Sequence, residues 1–208
     1  LRQVKPEYLK EEIYTLKNNR NGQSAIMTDS DYSKIRKQIL SRKYKLLLDL
    51  AWYTGERWGA LVQLKVEDCY NSDGTPRDEI TFKATTRKAS PDGKRETRQV
   101  PVHPVLAESL ANYKPATVSL WLFPNRDGDD SISLRWADLI LRSAVEKSGL
   151  GAKGISTHST RRSFITKLHK AGVDLYTIQR ITGHRDFKAL GRYVEIDTDR
   201  VKGAIATL

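Results

Sequence analysis

Cysteine occurs once, at position 69, in a chain of 208 residues. A single thiol excludes an intrachain disulfide and a cysteine-rich zinc site, and it suits a reducing compartment. Long apolar runs are missing too. No stretch is long enough to span a bilayer, and the N-terminus lacks the apolar core of a signal peptide. Internal repeats and low-complexity tracts are absent. Acidic residues are in deficit, 25 against 36 Lys and Arg, which leaves a formal net charge of +11. That charge, with a sequence pI of about 9.7, points to a polyanionic partner, with nucleic acid the leading class. The length allows one good core, or one domain plus a short arm. The chain starts at Leu1 rather than Met, so a piece of a longer protein is expected.

Residues 1–25 are polar and charged, with an Asn/Gly breaker at 18–22. They read as an arm or interdomain linker ahead of a domain at 26–208. Thr28 or Ser30 can cap a helix running to Ile39. Residues 44–53 are strongly apolar and predict a buried helix that ends at Thr54-Gly55. Residues 56–64 read as a third helical stretch with Arg57 in its first turn. Arginine is ordinarily a surface residue, but one set between Gly55 and a buried helix suits a fixed anionic partner. A short strand is expected at 65–70, and a hairpin of strands at 79–82 and 98–102. The loop between those strands carries Arg87, Lys88, Lys94 and Arg95 and can lie along a phosphate backbone. Further helices are expected at 102–113, with Pro104 in the first turn, and from Ser133 to Gly149, followed by a flexible stretch at 149–154. Trp52, Trp58, Trp121 and Trp136 read as core or core edge, and Tyr53 and Tyr176 as packing residues. The fold class is α+β, mostly helical, with a small antiparallel sheet.

The densest chemistry lies in residues 157–193. Thr157 can cap a helix with Phe164, Ile165, Leu168 and Ala171 on one face and Gly172 at its end. His158 and Arg161 then share a face in the first turn, where free N–H groups and the helix dipole favour a phosphate. A second short helix starts on Asp174 and ends at Gly183, placing His184 at a chain reversal. Tyr193 follows in a polar, basic segment. Breaking a phosphodiester without metal requires a nucleophile, groups that neutralise the non-bridging oxygens, and a proton donor for the leaving alkoxide. Tyrosine can keep the bond energy as a phosphotyrosine ester. Two arginines suit the oxygens, and Lys or His can supply the proton. The spacings of His158, His169 and His184 fit no common zinc pattern, so no metal is expected.

Together these motifs resemble the catalytic domain of the tyrosine recombinase, or phage integrase, family. The carriers are His158-Ser-Thr-Arg161, Gly183-His184 behind its short helix, the distance to Tyr193, the Thr54-Gly55-Glu56-Arg57 box, Leu122-Phe123-Pro124 and the strand at 98–102. The resemblance covers residues 26 to the C-terminus, and it implies the family's mixed α+β catalytic fold without its N-terminal DNA-clamping domain. It also implies a site-specific recombinase or integrase that works through a 3′-phosphotyrosine link and a free 5′-hydroxyl. Tyr193 would be the nucleophile. Arg57 and Arg161 would hold the phosphate oxygens, His158 would move a proton with Tyr193, and His184 would hydrogen-bond the phosphate. Lys88, with Lys94 as its rival, would protonate the leaving oxygen. Arg87, Lys94, Arg95, Arg162 and Arg185 are further DNA-contact candidates. No cofactor is implied; the partners would be double-stranded DNA and three more copies in a homo-tetramer, in the cytoplasm of a bacterial or phage host. Competing readings are a type IB topoisomerase and a non-catalytic DNA-binding module. Two departures stand out: Ala60 replaces the family's usual Glu, and Thr182 replaces an aliphatic residue before Gly-His.

Overall fold

A capping box opens the first helix among the described residues. The Thr28 hydroxyl accepts from the Asp31 N–H at 3.1 Å, and the Asp31 carboxylate accepts from the Thr28 N–H at 2.8 Å. Two orphan donors are thereby satisfied reciprocally, which fixes the start of α1 (Asp29–Gln38). Burial alone would raise the Asp31 carboxyl, but hydrogen bonds from Lys153 and Thr28 outweigh it and hold the group below its usual value. The computed structural model describes residues 24–86, 96–116, 119–184, 187–191 and 206. The chain divides into two compact units, Leu1–Phe164 and Ile165–Leu208.

In the first unit, α2 (Arg42–Thr54) is the central core helix. It buries Leu46, Leu47, Leu48, Leu50, Ala51 and Trp52. Its one buried carboxylate, Asp49, is satisfied by the Tyr32 hydroxyl at 2.7 Å, the Arg36 Nε at 2.7 Å and the Ser109 hydroxyl at 2.9 Å. The helix ends on Gly55, whose φ of +60° glycine adopts without the Cβ penalty. The expected third helix is only one turn, α3 (Trp58–Leu61), and Arg57 is its extended N-cap rather than a first-turn residue. The chain leaves this helix to pair with the apolar 121–124 segment, Leu122 N–H donating to the Leu64 carbonyl at 2.9 Å. The expected strand at 65–70 is accordingly reduced to two isolated bridges, Lys65 to Trp121 and Tyr70 to Pro76. A 3-10 turn (Val66–Asp68) lies between them, because Asp68 accepts the Lys65 N–H at 2.8 Å and closes the turn.

The hairpin forms as β1 (Glu79–Phe82) and β2 (Arg98–Pro101), antiparallel, with Ile80 opposite Val100 and Phe82 opposite Arg98. Inward Ile80, Phe82 and Val100 are buried, as period-two alternation requires. In α4 (Pro104–Ala111), His103 is the N-cap, its ring accepting from the Val105 N–H at 3.2 Å while it stacks on Tyr53. Next comes α5 (Leu134–Lys147), capped by Ser133, and α1 packs on α5 and α2. The stretch expected to be flexible at 149–154 is held by a 3-10 turn (Gly151–Lys153), the Lys153–Asp31 ion pair and the Ala25 N–H bond to the Gly154 carbonyl.

The cap of α6 (Thr157–Lys170) is Ser156 rather than Thr157. Its hydroxyl accepts from the His158 N–H at 3.3 Å, and the Ser156 N–H donates to the Ser159 hydroxyl at 3.0 Å. In the second unit α7 (Leu175–Thr182) runs from the Asp174 cap to Gly183, and α8 (Phe187–Gly191) follows. Ile165, Ile178 and Leu190 form its core with Leu168, Val173 and Leu175. The five-residue α8 is too short to show periodicity in the sequence. Tyr176 is 61 % exposed and Trp136 42 % exposed, so neither is the packing or core residue expected. Tyr176 lies opposite the buried stripe of α7, and Trp136 instead hydrogen-bonds the Tyr44 hydroxyl through Nε1. Among the described residues no helix is long and apolar enough to cross a membrane.

Gly55 carries the sharpest stability prediction. A Cβ there would lie 2.3 Å from Phe164 Cδ1. Gly55→Ala adds left-handed strain to overpacking and should cost about 2–4 kcal/mol, read as a lower urea midpoint with an unchanged slope.

Candidate active site

The turn between α2 and α3 puts one carboxylate where three elements meet. Glu56 is 1 % exposed. Its backbone N–H donates to the Thr54 hydroxyl at 3.2 Å, and its Oε1 accepts from the Arg57 N–H at 2.7 Å. From β2, Arg98 donates Nη2 to the other oxygen, Oε2. From α6, the Arg161 guanidinium approaches Oε1 at 3.7 Å and donates to the Gly55 carbonyl at 2.8 Å. A carboxylate this deep is tolerated only when paired and hydrogen-bonded, and here both conditions are met.

These contacts orient the first turns of α6. The Trp58 indole N–H donates to the Thr160 hydroxyl at 3.1 Å, and Ser163 accepts from the Met27 N–H at 2.7 Å. A cleft of about 420 Å³ opens beside them. Arg57, His158 and Arg161 all line it, as do Thr85 and Thr86 at the root of the hairpin loop. His158 is exposed, Arg57 half-buried and Arg161 buried. Two guanidiniums and an imidazole around one opening can bind a tetrahedral oxyanion and move a proton at its edge.

In the second unit, Gly183 ends α7 at φ +65°. His184 sits on that turn, its N–H 3.2 Å from the Gln179 carbonyl and its Nδ1 2.6 Å from the Thr182 hydroxyl. Lys88 and Tyr193 lie outside the described residues, as do Arg87, Lys94, Arg95 and Arg185. Arg162 is half-buried and donates to the Ser24 carbonyl at 2.9 Å. Lys83, at the root of the hairpin, pairs with Glu67 and Asp68, and the Glu67 carboxylate beside it raises its pKa.

Two residues behind the cleft, and in the second unit the partner of His184, carry little site signal in the sequence. Glu56 passed as part of a motif, because a Glu beside an Arg looks solvated until the burial of its turn is known. Arg98 was read only as strand. Thr182 was read as a small packing change. The one signal available for Glu56 was its position directly after a helix-ending Gly-turn and ahead of an apolar run.

The sequence profile of the phage integrase family matches residues 23–200. A tyrosine recombinase XerC of Pelotomaculum thermopropionicum is 31% identical over 168 residues, covering 80% of this chain and 54% of its own length. The chain spans about half the length of the curated relatives it matches. Among solved structures, the catalytic domain of bacteriophage HP1 integrase superposes with a TM-score of 0.57 at 18% identity, covering 88% of this chain and 95% of that one. The XerH site-specific recombinase, bound to difH substrate in a pre-cleavage complex, gives a TM-score of 0.64 at 20% identity, covering 89% and 55%.

Removing the charge of Glu56 leaves Arg98 and Arg161 facing a neutral amide in a buried site. Glu56→Gln should therefore cost about 3 kcal/mol of stability, measured by urea unfolding; a change within error would contradict the pairing.

Proposed function

The chain belongs to the phage integrase family, and from that premise we propose that it is the DNA-cleaving and rejoining part of a site-specific tyrosine recombinase. The observation that carries the reading is the single cleft shared by Arg57, His158 and Arg161, with Arg161 braced on buried Glu56. Double-stranded DNA is the proposed substrate. The +11 charge supports it, and so does the fold shared with a recombinase solved on its DNA substrate.

In the proposed reaction the Tyr193 oxygen attacks the scissile phosphorus and gives its proton to His158. The P–O bond to the 5′ oxygen breaks as the tyrosine–phosphorus bond forms. Lys88, or Lys94 in its place, protonates the departing 5′ oxygen. Arg57 and Arg161 neutralise the non-bridging oxygens as charge grows on them, and His184 donates to the same phosphate. Attack by a 5′-hydroxyl on the phosphotyrosine reverses each transfer and reseals the strand. Exchange between two duplexes needs paired cleavages, so a homo-tetramer on DNA is proposed as the working assembly.

Covalent trapping tests the chemistry. The protein is incubated with candidate-site DNA nicked beside the cleavage point, denatured in detergent, and the adduct mapped by mass spectrometry. The link should fall on Tyr193 and vanish in Tyr193→Phe; an adduct that survives in the Phe variant overturns the assignment. Arg57→Ala and Arg161→Ala should each slow adduct formation by roughly 10²–10³, the scale for losing one transition-state donor. Arg57→Ala keeps its backbone bond to Glu56, so its unfolding midpoint should stay near that of the parent chain.

Affinity for duplex DNA should fall steeply with added salt, as phosphate neutralisation releases counterions. A flat salt response, measured by fluorescence anisotropy, would count against a phosphate-binding face.

A further inference from the structure

We infer that Thr182 is a positioning residue that fixes the proton of the neutral His184 imidazole on Nδ1. Thr182 is fully buried at the last position of α7. Its hydroxyl oxygen lies 2.7 Å from the Ile178 carbonyl oxygen and 2.6 Å from His184 Nδ1. A hydroxyl has one hydrogen to donate and accepts with its lone pairs. The Ile178 carbonyl can only accept, so the hydroxyl hydrogen goes there, in the i−4 bond threonine makes inside helices. The same oxygen must then accept from His184, and Nδ1 must carry the hydrogen.

The main chain holds the ring in reach. Gly183 takes the left-handed conformation, and the N–H groups of Gly183 and His184 both point at the Gln179 carbonyl, at 2.7 and 3.2 Å. Ring and hydroxyl therefore emerge from one short, hydrogen-bonded turn. An aliphatic residue, expected at this position from the family resemblance, could make neither bond. Thr182 is thus a departure with chemical content, beyond a change in packing.

The tautomer decides what the other nitrogen can do. With hydrogen on Nδ1, the neutral ring presents a lone pair at Nε2 and is an acceptor there. It donates from Nε2 only after taking up a proton. On the proposed reaction, on which this step rests, His184 then binds a phosphate oxygen as the imidazolium, and Thr182 sets that requirement.

Long-range ¹H–¹⁵N correlation spectra of the folded chain, labelled at its four histidines, test the assignment without DNA. The sample is held about two pH units above the ordinary histidine value so that the rings are neutral. His184→Gln identifies the signals. The parent chain should show Nδ1 at a protonated-type shift and Nε2 at a pyridine-type shift. Thr182→Ser should keep that pattern. Thr182→Val, equal in shape, removes the acceptor facing Nδ1 and should exchange the two. A parent spectrum with hydrogen on Nε2, or a valine spectrum identical to the parent, overturns the inference. Loss of the cleavage reading would leave these spectra unchanged, so the two failures are distinguishable.

Discussion

The Glu56 carboxylate is the constraint on which the site depends. Desolvating an ion costs several kcal/mol even after relaxation, and the fold offsets it in part by bringing Arg98 from β2 and Arg161 from α6 to the same group. The hairpin, the α2–α3 turn and the start of α6 are therefore fastened at one point. Arg161, read as a phosphate ligand, is also one of the two residues whose charge makes Glu56 tolerable. Structure and proposed chemistry share one guanidinium, and this ties the stability of the unit to the integrity of the cleft.

This bears on the most conspicuous departure from the family pattern. Ala60 stands where a Glu is usual, and its loss would be expected to loosen the first arginine. Ala60 is buried in α3, at 3 % exposure, with no polar reach. A carboxylate arrives instead from Glu56, at the entry to the same helix, and accepts directly from the Arg57 N–H. The brace acts on the arginine's backbone rather than on its side chain, which leaves the guanidinium of Arg57 unencumbered by this bond at the mouth of the cleft.

The sequence exposed what depends on local signals. Periodicity and caps located α1, α2, α4, α5 and α7 closely, because Thr28, Gly55, Pro104, Ser133 and Asp174 act within a turn of their own position. It misread what depends on distant partners. Residues 65–70 read as a short strand, yet Asp68 closes a turn and only the end residues form bridges, Lys65 to Trp121 and Tyr70 to Pro76. Residues 149–154 are rich in glycine and read as flexible, yet Lys153 is anchored on Asp31. In the site, Arg57, His158 and Arg161 were legible from order and spacing, whereas the burial of Glu56 was not, because it is created by α6 folding back over a turn about a hundred residues earlier (Arg161 to Gly55, separation 106).

The proton donor for the leaving oxygen can be narrowed by charge. A lysine serves as general acid only if it can approach the scissile oxygen and release its proton there. Lys83 stands at the foot of the hairpin, but Glu67 and Asp68 hold its ammonium and raise its pKa. Both effects oppose proton release, so Lys83 is ill suited although it is the nearest described lysine in sequence to Thr85 and Thr86, which line the cleft. On the proposed reaction the role is left to a lysine further along the sequence, Lys88 or Lys94. The carboxylate pair on Lys83 then has a use of its own: it neutralises a charge at the end of β1 and ties that strand to the 66–68 turn.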